Sequence, residues 1–106
     1  MVASTRNAIN CSEKKGCFTG PAVKEFGFTT WNVYSCGDPD SLAIVSAPGS
    51  SAMPFYFMII KKDGQRRLFG EGTGDEEATS AAADDLRELI ESEAAISELI
   101  AETIAP

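Results

Sequence analysis

The 106-residue sequence predicts an α+β fold, in which an antiparallel sheet of three to four strands packs against a C-terminal helix or helix pair. Three observations predict it. Asp63-Gly64 stands between two apolar runs, the signature of a two-residue type I′ hairpin. Residues 26–36, FGFTTWNVYSC, concentrate the aromatic and β-branched side chains that suit a pleated strand. From Ala78 onward, apolar residues recur at helical spacing.

Taken in order, residues 1–20 lack periodicity and read as an arm or loop, with one short helical turn over 5–9. Residues 21–106 then form a single domain, a division that the 43% apolar content supports with material for one core. PAVKEF, residues 21–26, reads as a short helix with Pro21 in its first turn, and residues 26–36 as a strand. GDPDS is turn chemistry, LAIVSA a second, shorter strand, and PGSSAMP a loop.

The hairpin fixes a register. Residues 55–62 pair with 65–71 so that Lys62 faces Gln65, Lys61 faces Arg66, Ile59 faces Leu68 and Met58 faces Phe69. Alternation assigns Phe55, Phe57, Ile59 and Leu68 to one face, and Tyr56, Met58, Ile60 and Phe69 to the other. Both faces are apolar, so the second needs a cover: the amino-terminal arm, the last helix of the chain folding back, or a second copy meeting it around a two-fold axis, the last two being the favoured ones.

The C-terminal third is helical. Thr73 reads as an N-cap, with Glu76 completing a capping box, and Ala78, Ala82, Leu86, Leu89, Ile96, Ile100 and Ile104 form the apolar stripe. A single straight helix would set Glu93 within that stripe, where an unpartnered charge is costly. The helix is therefore expected to break near residues 91–93, with Ser92 capping a second, shorter helix. A glycine-rich turn leading into a helix often receives an anion, but here Asp75, Glu76 and Glu77 fill that end of the helix dipole themselves.

Charge is unevenly distributed. Residues 75–106 hold ten acids and one base, Arg87, and carry −9, whereas residues 1–74 hold eight bases and six acids and carry +2. Such an acidic surface repels nucleic acid and attracts basic partners. With three cysteines and no histidine, neither a metal site nor a catalytic triad is expected, and no cofactor. Cys11 and Cys17 span a loop short enough for a disulfide, but an odd count without an export signal favours reduced thiols, with Cys36 a small apolar strand end. No run approaches the ~18 apolar residues of a membrane span, so a cytoplasmic location is expected, with no membrane partner.

The hairpin followed by GEGTGDEEATSAAADDL resembles the C-terminal half of a double-stranded-RNA-binding domain, over residues 54–90 and more weakly over 21–53. Gly70 and Gly72 match the glycines of the family's turn, and Ala78, Ala81, Ala82 and Leu86 match the small and apolar positions of its helix, while PAVKEF stands where its first helix ends. The resemblance implies a fold of that kind. At the helix start, where the family's lysines grip phosphate, this chain has Asp75, Glu76 and Thr79, so duplex RNA is not expected as a ligand.

The resulting expectation is a non-enzymatic protein-interaction module, in which Asp75, Glu76, Glu77, Asp84, Asp85, Glu88 and Glu91 meet a basic protein surface and mimic a nucleic acid. Two alternatives stand beside it. Lys61, Lys62, Arg66 and Arg67 at the hairpin tip could contact nucleic acid weakly, or the chain could be a small enzyme or ligand carrier. The carboxylate pairs Asp84–Asp85 and Asp38–Asp40 lie on a charged helix face and in a turn, neither of which favours catalysis.

Overall fold

The computed structural model describes residues 17–36 and 41–104. The helical turn expected over 5–9, Cys11, and the Asp38–Asp40 pair lie outside them. Among the described residues, five strands, β1 (Thr19–Phe26), β2 (Thr29–Ser35), β3 (Leu42–Ser46), β4 (Phe55–Lys62) and β5 (Gln65–Gly72), precede two helices, α1 (Glu76–Leu89) and α2 (Glu93–Ile104). The strands form one antiparallel sheet in the order β1-β2-β3-β4-β5. This is the α+β arrangement expected, with a larger sheet than three or four strands.

The extra strand comes from PAVKEF. These residues form most of β1 rather than a short helix, because pairing with β2 lets Ala22 and Phe26 enter the core while Val23 and Glu25 face out. Pro21, which cannot donate to a ladder, falls at a register shift between Thr19 and Ala22 on a sheet edge, where its missing N–H does little harm. The run 26–36 is accordingly not one strand: Gly27 and Phe28 turn the chain between β1 and β2.

Asp63 and Gly64, at φ 55° and 79°, make the expected turn, and β4 pairs with β5 in the expected register from Lys62–Gln65 to Phe55–Gly72. One face of the sheet carries Phe26, Trp31, Val33, Leu42, Ile44, Phe57 and Ile59, all buried beneath the helices. Trp31 is fully enclosed. Its ring lies 5.2 Å from that of Phe57 and 6.5 Å from that of Phe55, and its Nε1 donates to Thr29 Oγ1 at 2.9 Å. Burying each large apolar side chain here is worth roughly 1.5–3 kcal/mol, so this aromatic layer anchors the domain.

Helix α1 inserts Ala78, Ala82 and Leu86 into that core, and α2 adds Ile96 and Leu99, while Ile104 of the expected stripe stays exposed. The break falls where Glu93 required it. Ser92 Oγ accepts from Ala95 N at 3.2 Å, so α2 begins with its own cap. Across the sheet, α2 is held by Thr103, whose hydroxyl bonds that of Ser35 at 2.7 Å, and by Glu102, paired with Lys24 at 3.0 Å.

The helices occupy only this inner face, so α2 does not cover Tyr56, Met58, Ile60 and Phe69. Both faces of the hairpin are apolar, and the choice is made by β2 and β3, whose Trp31, Val33, Leu42 and Ile44 point to the helix side, against only Tyr34 and Val45 among their large side chains on the other. A second correction concerns the cysteines: Cys17 and Cys36 form a disulfide, instead of remaining thiols or joining Cys11 to Cys17. The β1–β2 ladder ends at Thr19–Ser35, which brings the flanking cysteines together although they stand 19 positions apart in the sequence. Among the described residues, no helix is long and apolar enough to cross a membrane.

Candidate functional site

The seven acids expected to form a partner-binding face divide into structural and free groups. Asp75, rather than Thr73, is the N-cap of α1: its Oδ2 accepts from Ala78 N at 2.9 Å. Thr73 stands too far ahead for that role, because the helix begins only at Glu76, while the N–H groups of Thr73 and Gly74 donate to Pro54 O. Asp85 Oδ2 accepts from Gly27 N at 2.5 Å and pins the β1–β2 turn to α1. Asp84 pairs with Arg87 at 2.8 Å on the helix surface.

Glu76, Glu77, Glu88 and Glu91 are exposed and bear no such duty. Glu77, Asp84 and Glu88 sit seven and four residues apart, which at 3.6 residues per turn places them in one stripe about 16 Å long. Glu91 follows in the turn beyond the helix. The stripe lies opposite Ala78, Ala82 and Leu86, so the side of α1 that leaves the core is anionic.

At the positions matching the family lysines, Asp75 serves as a cap and Thr79 is buried with its hydroxyl bonded to Glu76 O at 3.1 Å, which leaves only Glu76 outward. PAVKEF, matched to the end of the family's first helix, is strand β1, and that part of the resemblance falls with it.

The four basic residues of the hairpin tip do not form one cluster. Alternation sends Lys61 and Arg66 toward the helix side and Lys62 and Arg67 toward the outer side. Arg66 donates from Nε to Glu93 Oε2 at 2.8 Å and from Nη2 to Oε1 at 3.1 Å. These bonds hold the Glu93 carboxyl below the ordinary carboxylate range, outweighing an opposing cost of burial, and the nearby charges of Arg66 and Lys61 add to the lowering.

The outer sheet face exposes apolar side chains of β3–β5. Tyr56 and Phe69 are 43% and 52% exposed, and Val45 and Met53 extend the patch. Two shallow grooves meet at Tyr56: one of about 510 Å³ against Val45, Met53 and Pro54, the other of about 500 Å³ against Met58, Ile60 and Phe69. Tyr56 donates its hydroxyl to Glu71 Oε1 at 3.0 Å, and this bond, with the carboxylate's charge beside it, raises the phenol above its usual pKa. Val45 escaped the sequence reading because only the register of β3 against β4 sets it beside Tyr56, and Met53 because it lies in the loop before β4. Comparison with protein-family models, curated proteins and solved structures returns no match to this chain.

Proposed function

We propose that this chain is a protein-interaction module without chemistry of its own, whose acidic helix face binds a basic protein surface and, by offering carboxylates in place of phosphates, regulates or inhibits a nucleic-acid-binding partner. One observation supports the reading above the others: Glu77, Asp84 and Glu88 line the side of α1 opposite its buried face, with Glu91 continuing the stripe and Arg87 the single base in residues 75–106. Fixed like charges in a row attract a complementary surface and speed its approach, and they repel phosphate backbones. The tip alternative has less support, because Arg66 is bound to Glu93 and only Lys62 and Arg67 face outward. The Cys17–Cys36 bond favours an oxidising compartment over the cytoplasm expected from the sequence.

The test is an anisotropy titration with an arginine-rich peptide and, separately, with duplex RNA, run at several salt concentrations. Binding of the peptide that weakens with salt and is lost in the Glu77→Gln/Glu88→Gln/Glu91→Gln variant, at unchanged thermal stability, is expected, with no binding of the RNA. Peptide binding unaffected by that variant, or binding of duplex RNA, would overturn the reading.

A further inference from the structure

The outer face of the β4–β5 hairpin changes character along its strands. Its outward cross-strand pairs are, in order, Tyr56–Glu71, Met58–Phe69, Ile60–Arg67 and Lys62–Gln65. An anion therefore stands at one end, cations at the other, and apolar side chains between them. Tyr56 orients the Glu71 carboxylate by hydrogen bond, and among the described residues neither α1 nor α2 packs on this side of the sheet.

Such a pattern complements itself under one operation. A two-fold axis in the plane of contact, running across the strands at the Met58–Phe69 pair, reverses strand direction in the second copy. Glu71 of each copy then lies over Arg67 of the other, while Met58 and Phe69 meet their counterparts. An axis along the strands would instead gather both Glu71 carboxylates at one end of the contact and both Arg67 guanidiniums at the other. Stacked sheets stand about 10 Å apart, a gap that an arginine and a glutamate reaching toward each other can bridge. Isologous contacts of this kind are the commonest in small soluble oligomers.

We infer that the outer sheet face is the interface of a homodimer, closed by reciprocal Arg67–Glu71 ion pairs around a Met58–Phe69 centre. The second copy is favoured over a foreign partner because the face already carries both halves of its own charge complement. This interface is on the opposite side from the acidic face of α1 and stands independently of that face's proposed role.

Sedimentation equilibrium on the full chain reads the result directly, as twice the monomer mass of 11.3 kDa. Arg67→Glu and Glu71→Arg should each weaken dimerisation at least about tenfold, since each sets like charges against one another twice. Mixing the two variants in equal amounts should restore the dimer, because every contact again joins a carboxylate to a guanidinium. That rescue separates the interface from any loss of folding. A wild-type monomer at all concentrations, dimers that survive in both single variants, a mixture that fails to associate, or a monomer that binds a thymidine oligonucleotide through Tyr56 and Phe69 would each overturn the inference.

Discussion

Arg66 holds Glu93 through two hydrogen bonds, and so ties the β4–β5 hairpin to the first turn of α2. The Arg66 side chain is only 6% exposed while that of Glu93 is 64% exposed, so a nearly buried cation depends on a carboxylate at the surface. Because the folded-state pKa of Glu93 is depressed, its contribution to stability is complete above the unfolded carboxylate pKa of about 4.3 and is lost as pH falls through the folded value. Glu93→Gln should therefore flatten the acid limb of a stability–pH curve measured by urea unfolding, with the difference from wild type shrinking toward low pH. A parallel acid limb in the variant would show that the pair contributes nothing to the pH dependence.

The start of α1 offers a test of the cap. Asp75→Ala should cost about 0.5–2 kcal/mol, whereas Thr73→Ala, at a residue whose side chain caps nothing, should fall well below that range. Chemical denaturation of the two variants side by side decides between the two positions.

Gly70 stands opposite Phe57 at the edge of the aromatic layer. A Cβ there would come within 2.8 Å of the Phe57 ring and 2.9 Å of the Phe55 ring, both packed in the core with Trp31. Gly70→Ala should cost about 1–3 kcal/mol by overpacking, read as a lowered melting temperature. A neutral result would mean that the rings have room to shift.

The Cys17–Cys36 bond closes β1 against β2. Opening a loop of that size should cost about 3 kcal/mol, so the Cys17→Ser/Cys36→Ser variant should unfold at lower denaturant than the oxidised protein. Mapping the cystine by mass spectrometry under non-reducing conditions checks the connectivity itself, and a Cys11–Cys17 pair would contradict it.

Legibility in the sequence followed the length and strength of local signals. The Asp63-Gly64 hairpin was readable to the residue because turn chemistry and two long apolar runs agree, and the break before α2 because Glu93 could not stay in an apolar stripe. PAVKEF was too short to reveal its period, and pairing with β2 decided its form. The outward acids of α1 followed from helical spacing, but Asp85's bond to Gly27 spans 58 residues and depends on tertiary packing. The same holds for the open side of the sheet: alternation separated Tyr56 from Phe57, yet only Trp31, Val33 and Ile44 on neighbouring strands determine which side the helices take.

The strand order follows the order of synthesis, with consequences for how the chain folds. Each strand pairs with the one made just before it, so every ladder can close as a local hairpin, and the loop-closure entropy of joining distant segments is largely avoided within the sheet. The long-range steps come last. Lys24 must wait for Glu102 and Ser35 for Thr103, so α2, which follows all five strands in the chain, locks β1 and β2 into the core. Until then the growing sheet has both apolar faces open, and the emergence of the helices ends its period of greatest exposure to aggregation.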